Sequence, residues 1–163
     1  MKDNKRVVPK KNYLYLLIMI IMVIFVTFSI VNIGNYYSNK KLEKSYFDGY
    51  INQVSLKDLK NVLTEPSSEL FILIIEVNNE KVYDVEKDIK QVIKNRDIRD
   101  NVIYMDYTDK DISKLNKEFN SNIRSIPAIM YFRNGKFVTS IDSYNNLLSA
   151  GDFEQLLDSY EVE

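Results

Sequence analysis

The sequence contains no cysteine and no histidine. Without cysteine there is no thiolate to act as a nucleophile or to exchange with a disulfide. The chain also lacks the usual ligands of structural zinc sites and the side chain most often used in general acid–base catalysis. The composition therefore excludes thiol–disulfide exchange, zinc sites of the usual kind and histidine-based catalysis.

Dense runs of positive charge are absent beyond the first residues. The chain has 22 Lys and Arg against 23 Asp and Glu, for a formal net charge of −1. Nucleic-acid binding needs basic side chains gathered on one face to neutralise phosphates. The charge pattern therefore predicts no nucleic-acid partner. The length of 163 residues allows one membrane segment and one domain with its own core.

One long apolar run lies near the N-terminus. Residues 14–33 are almost wholly apolar, and no charge lies between Lys11 and Lys40. A helix of this length crosses a hydrocarbon core of about 30 Å. Aromatic side chains favour the membrane interface, and tyrosines lie near both ends of the run: Tyr13, Tyr15, Tyr36 and Tyr37. The sequence predicts a transmembrane helix over residues 13–34.

A cleaved signal peptide is the alternative interpretation of this run. Its apolar region would be shorter, about 7–15 residues, and a small-residue cleavage site would follow it. Residues 32–36 contain no A-x-A pattern, and there is no lipobox cysteine. An uncleaved membrane anchor is the preferred interpretation.

Basic residues flank the apolar run unequally. Five precede it in the short tail of residues 1–12: Lys2, Lys5, Arg6, Lys10 and Lys11. Three follow it: Lys40, Lys41 and Lys44. The modest bias predicts a cytoplasmic N-terminus in the cell membrane and an extracytoplasmic C-terminal domain. Residues 35–49 are interpreted as a juxtamembrane stalk, and residues 50–163 as the folded domain.

Strand and helix patterns alternate through the folded domain. Ile51–Val54, Leu70–Val77 and Val102–Tyr107 are apolar strand candidates. Capping patterns begin helices at Ser55, Thr108 and Ser149, and Pro66 with Ser67 and Ser68 ends the first of them. A further helix presents apolar residues at helical spacing: Val85, Ile89, Val92 and Ile93. The predicted order is β-α-β-α-β-α-β-β-α, which is typical of a mixed α/β sheet covered on both faces.

The last two strands follow a proline and are joined by a short turn. Pro127 cannot donate a ladder hydrogen bond, so it belongs at the first position of the strand that runs to Phe132. Asn134 and Gly135 tolerate the positive φ of a type I′ turn and predict a hairpin.

Ile126-Pro127, the apolar run and Asn134-Gly135 together resemble the second half of the thioredoxin fold. In that family an Ile-Pro pair with a cis bond opens an antiparallel strand pair. The resemblance covers about residues 50–163 and identifies the chain as a thioredoxin-like superfamily member, with a mixed central sheet flanked by helices and preceded by one transmembrane helix. It also extends to thioredoxin-like accessory proteins of bacteriocin transport.

The resemblance also locates two parts of a site. The turn that carries Cys-x-x-Cys in thioredoxins corresponds here to a degenerate turn: Asn79, Glu80, Lys81, Val82, Tyr83 and Asp84. Family members pair an extended peptide with the backbone before the cis-proline. This implies a peptide-binding role for Ser125, Ile126 and Pro127. The alternative is that Pro127 serves only the packing of the sheet.

The sequence indicates neither a metal site nor a cofactor. Asp106, Asp109 and Asp111 are close together, but the glycine and terminal glutamate of a calcium loop are missing, and a helix cap accounts for Asp109 and Asp111. The predicted function is a redox-inactive protein-binding or accessory module of the bacterial cell envelope. Its expected partners are the lipid bilayer and another envelope or transport protein. The alternatives are an inactive subunit of a thiol–disulfide redox pair and a non-thiol enzyme.

Overall fold

The computed structural model describes residues 10–64, 69–108 and 110–162. The chain divides into two compact units, Met1–Lys41 and Leu42–Glu163. Three parts of the predictions lie outside the described residues: residues 1–9 of the predicted tail, the predicted helix end at Pro66 to Ser68, and Asp109.

The first unit consists of helix α1, Lys10–Leu42, whose last residue already belongs to the second unit. Its 33 residues span about 50 Å, which exceeds the thickness of a hydrocarbon core. The stretch Asn12–Leu42 is long and apolar enough to cross a membrane, and no residue of its most apolar part is buried. The hydroxyl groups of Thr27 and Ser29 donate to the carbonyl oxygens of Val23 and Phe25, at 2.8 and 2.9 Å. These bonds pair both hydroxyl groups within the helix.

The second unit has the predicted order of elements. Its strands and helices are β1 Asn52–Gln53, α2 Leu56–Thr64, β2 Glu69–Ile75, α3 Glu80–Asn95, β3 Val102–Asp106, α4 Ile112–Phe119, β4 Ala128–Arg133, β5 Lys136–Asp142 and α5 Ala150–Ser159. A 3-10 turn, Arg99–Asn101, precedes β3. The predicted fold class is confirmed.

The strands form one mixed sheet in the order β1-β3-β2-β4-β5. Strand β3 runs parallel to β1 and β2, whereas β4 is antiparallel to both β2 and β5. The central position of β2 accounts for its composition, because a strand covered on both faces needs apolar side chains at every position. Its residues Leu70–Ile75 are all buried.

Alternate residues of β2 enter two separate cores. Phe71, Leu73 and Ile75 pack with the apolar stripes of α3 and α5. Leu70, Ile72 and Ile74 point to the opposite face, where they pack with residues of α2 and α4. The sheet is therefore a middle layer between two helical layers.

The hairpin between β4 and β5 has the predicted turn. Asn134 and Gly135 have φ values of 52° and 72°, as a type I′ turn requires. Gly135 also lies so close to the carbonyl oxygen of Leu63 that a Cβ atom would overlap it. The turn is therefore seated against the C-terminal part of α2.

The compact unit begins earlier than the sequence pattern indicated. Its first residue is Leu42, and Phe47, inside the predicted stalk of residues 35–49, is fully buried. Phe47 packs against Tyr104 with ring centroids 5.9 Å apart. Phe47 is a single aromatic residue in a polar stretch and forms no periodic apolar pattern. The sequence therefore contained no sign that the folded unit starts before Tyr50.

Strand β2 ends two residues before its predicted end at Val77. The N–H of Val77 donates to the hydroxyl of Thr108 at 2.9 Å, and the N–H of Asn78 donates to the carbonyl of Leu42 at 2.9 Å. These bonds draw the backbone away from the ladder into the turn that precedes α3.

Candidate functional site

The two predicted parts of the site lie at the same end of the sheet. Strand β4 is antiparallel to β2, and Ala128, its first residue, lies opposite Ile74. The loop of residues 125–127 therefore enters the sheet at the end where β2 leaves it for the turn of residues 78–84. Antiparallel register alone brings these two segments to one edge.

Pro127 occupies a buried and fully bonded position. The Ile126–Pro127 bond is cis, which confirms the prediction. The carbonyl oxygen of Pro127 accepts hydrogen bonds from the N–H and the hydroxyl of Ser143, at 3.1 and 2.8 Å. Pro127 therefore ties the start of β4 to the chain that follows β5.

Ser125 and Ile126 differ from Pro127 in their backbone bonding. Both residues are half-buried, and their backbone N–H and C=O groups make no hydrogen bond to any residue that the structure describes. Backbone N–H and C=O groups are strong hydrogen-bonding groups that bind a partner wherever one is in reach. Unpaired groups next to a strand end form an acceptor and donor row to which an extended peptide can add.

The residues before this open backbone are firmly held. The side chain of Asn116 donates to the carbonyl of Ile123 at 2.7 Å and accepts its N–H at 2.9 Å. The N–H of Arg124 donates to Asp142 at 2.7 Å, and the Arg124 guanidinium lies 4.0 Å from the ring centroid of Tyr144. The open backbone of residues 125–126 is thus presented by a preorganised loop.

The degenerate turn is the start of helix α3. Asn79 is the N-cap, and its side chain accepts the N–H of Lys81 at 3.1 Å. Val82 is buried in the core, whereas Tyr83 packs edge-on against Tyr46 with centroids 5.1 Å apart. The six predicted turn residues therefore divide between cap, core and surface and do not converge on one point.

The aspartates after β3 have structural partners. Asp111 is the N-cap of α4 and accepts the N–H of Ser113 at 2.9 Å. Hydrogen bonding by the Ser113 side chain, and then by its backbone N–H, holds the pKa of the Asp111 carboxyl below its usual range. Asp106 accepts both the N–H and the hydroxyl of Thr108. Within the described ranges no group of three or more acidic side chains is arranged to hold a metal ion.

Glu86 is a buried acid that was not among the candidate site residues predicted from the sequence. It is 2% exposed and accepts hydrogen bonds from the hydroxyl of Ser45 and the N–H of Tyr46. Burial raises the pKa of Glu86 to about 7, against the opposing effect of these two bonds. An available signal was its position in the apolar stripe of α3, four residues after Val82 and three before Ile89.

Comparisons with known proteins bear on the fold. No family model matches the sequence, and no curated protein matches it. A protein with a thioredoxin fold, described as a candidate oxidoreductase, is similar over 69% of this chain and 97% of its own, with 19% identity and a TM-score of 0.53. Thioredoxin f2 of Chlamydomonas reinhardtii covers 69% of this chain and 98% of its own, with 9% identity and a TM-score of 0.55.

These similarities cover nearly the whole length of the solved structures, but at identities too low to carry an activity across. At 19% and 9% identity they show the fold alone. The second unit of this chain has the thioredoxin fold.

Proposed function

We propose that this chain is a membrane-anchored, redox-inactive protein-binding module that takes an extended segment of another envelope protein on the backbone of Ser125 and Ile126. The observation that carries the proposal is the unpaired backbone of these two residues beside the well-bonded Pro127. A purely structural loop would need only the proline and its Ser143 contacts. The unpaired backbone N–H and C=O groups of Ser125 and Ile126 serve no hydrogen bond within the described residues.

The proposal needs no chemical step at this edge. Where thioredoxins have cysteines, this chain has the cap Asn79 and the first turn of α3. Binding by strand addition depends on backbone hydrogen bonds and leaves the side chains of the turn free to vary. Helix α1 would hold the module in the membrane, with residues 42–163 on the extracytoplasmic side.

Ser125→Pro and Ser125→Ala form a matched pair for testing this. Proline removes the backbone donor at position 125, whereas alanine removes only the hydroxyl group. The full-length protein is used as bait in membranes solubilised from its source cells, and captured proteins are quantified by mass spectrometry. We expect a partner that the unchanged chain and Ser125→Ala capture equally and that Ser125→Pro captures at least tenfold less.

The melting temperatures of both variants are measured alongside. Values within a few degrees of the unchanged chain show that the loss does not come from unfolding. Equal capture by Ser125→Pro and Ser125→Ala would overturn the proposal, because the backbone donor would then have no role.

A further inference from the structure

A recess lies at the same end of the sheet as residues 125–127, which we call the Ser125 loop, but on the other side of β2. It is a notch of about 200 Å³ beside the ends of β1 and β3, bordered by the chain that follows α1. We call it the acidic notch. Its lining includes Asp48, Asp106, Tyr104, Ser45, Gln53 and Val77, together with Glu43 and Lys44.

Tyr104 forms the floor of the acidic notch. Its side chain is 3% exposed, and its ring packs in the core against Phe47. The phenol oxygen makes no hydrogen bond to any residue within 10–64, 69–108 or 110–162. Every fully enclosed side-chain polar atom in those ranges has a partner, so this oxygen is not fully enclosed. The hydroxyl therefore reaches the notch. Tyr104 is 3% exposed as a residue, yet its hydroxyl opens into the notch without a protein partner, so it is available to hydrogen-bond a ligand there.

Negative charge surrounds this hydroxyl. Burial and then the charges of Asp48, Glu86 and Asp106 raise the pKa of Tyr104. Lys44 is the one cation in the lining; it lies 3.3 Å from Asp48, and its side chain is 76% exposed. The partners of Asp106 are the neutral groups of Thr108 and the Lys110 ammonium, which donates to the backbone carbonyl of Asp106 and not to its carboxylate. The lining thus keeps an excess of negative charge.

The shape and charge of the notch restrict its occupant. Its carboxylates are not grouped closely enough to hold a metal ion. Its volume equals that of about seven liquid waters, which suits the head of one side chain but not a peptide. An ammonium or guanidinium group carries the donors that carboxylates and a phenol oxygen accept.

We propose that the acidic notch binds a lysine or arginine side chain presented by a partner protein. Tyr104 supplies a neutral acceptor at the floor, and Asp48 and Asp106 supply charge at the walls. The site is separate from the Ser125 loop, because β2 lies between β3 and β4 in the sheet. The proposal for the acidic notch is therefore tested independently of strand addition at the Ser125 loop.

The test uses the full chain in detergent micelles with ¹³C-labelled tyrosine rings. The Tyr104 signal is assigned by its loss in Tyr104→Phe. Nα-acetyl-argininamide is titrated in, with Nα-acetyl-citrullinamide as the neutral analogue of the same shape. We expect a saturable shift of the Tyr104 signal with the arginine compound and none with the citrulline compound. Asp106→Asn should raise the dissociation constant at least tenfold.

Glu154→Gln is the matched control, since it removes an exposed carboxylate on α5 that is not part of the notch lining. It should leave the dissociation constant unchanged, and all variants should keep their melting temperatures within a few degrees. Asp48→Asn provides a second wall variant if Asp106→Asn unfolds. Equal shifts with both compounds, no saturable shift, or an unchanged dissociation constant in both wall variants would overturn the proposal. A saturable shift with magnesium chloride would also overturn it, by making the notch a metal site.

Discussion

At the scale of single residues, Glu86 is the strongest departure from what the sequence pattern showed. The stripe of Val85, Ile89 and Ile93 was predictable from helical spacing and is buried as expected. An acid in the same stripe is tolerated only because Ser45 and Tyr46 donate to it. Those donors lie about 40 positions earlier in the chain, so no local pattern could pair them with Glu86.

This burial predicts a pH-dependent stability. The folded-state pKa of Glu86 is about 7, above its ordinary value of 4.5, so the folded state keeps a proton that the unfolded chain has lost. The contribution of protonated Glu86 to the free energy of unfolding is fully present below pH 4.5. It decreases as the pH rises and is lost above pH 7. The fall is about 3 kcal/mol at 1.36 kcal/mol per pKa unit. Glu86→Gln should remove this dependence, because glutamine imitates the protonated acid.

Denaturant unfolding of the full chain at pH 4.5, 6 and 7.5 provides the measurement. The free-energy advantage of Glu86→Gln over the unchanged chain should grow with pH. Asp88→Asn removes an exposed carboxyl from the same helix and should show no such growth. A constant difference between Glu86→Gln and the unchanged chain across this range would contradict the prediction.

At the scale of elements, most boundaries follow from local chemistry, and the departures come from tertiary contacts. The positive φ of Asn134 and Gly135 was predictable from the residue types alone. The approach of Leu63 to Gly135 was not, because it depends on how α2 packs against the hairpin. The start of α5 was also predictable, since Ser149 and Asp152 form the capping box that their spacing indicates.

Gly135→Ala tests the hairpin turn. A side chain at positive φ costs about 1–2 kcal/mol, and the new Cβ would overlap the carbonyl oxygen of Leu63. We expect a loss of unfolding free energy of about 2 kcal/mol or more, measured by denaturant unfolding.

The matched control for the turn is Gly151→Ala in the first turn of α5. A Cβ there meets only the Ser149 hydroxyl oxygen, at 3.7 Å, which is an ordinary contact. Alanine in a helix is favoured over glycine by about 0.5–1 kcal/mol, so this variant should be slightly stabilised. A Gly135→Ala variant as stable as Gly151→Ala would show that the turn is not held against α2.

The candidate sites divide along the same line. The Ser125 loop was predictable, because the order of Ile126, Pro127 and the turn residues is continuous in the sequence. The acidic notch was not, since its floor is on β3 and its walls come from both β3 and the chain after α1. A sequence pattern indicates sites whose residues are adjacent in the chain. Sites whose residues are distant in the chain become visible only in the fold.

At the scale of the whole molecule, a thioredoxin fold occurs in a chain without cysteine. Thiol–disulfide exchange requires a thiolate that attacks a disulfide sulfur. The full-length protein in detergent should therefore reduce insulin disulfides no faster than the uncatalysed background, with or without an external reductant. A cysteine-bearing thioredoxin serves as the positive control. A rate that scales with the amount of this protein through successive purification steps would contradict the prediction.

The placement of the second unit outside the cytoplasm is the remaining prediction at this scale. It rests on the excess of basic residues before α1 over those after it, an asymmetry that keeps the more basic flank inside. Because the chain has no cysteine, Asn4→Cys and Asn146→Cys each carry a single thiol. Asn146 lies in an exposed loop. A membrane-impermeant maleimide added to intact cells should label Asn146→Cys and leave Asn4→Cys unlabelled. Both should be labelled once the membrane is permeabilised. The opposite pattern in intact cells would place the thioredoxin-fold unit in the cytoplasm, where an envelope partner could not reach the Ser125 loop or the acidic notch.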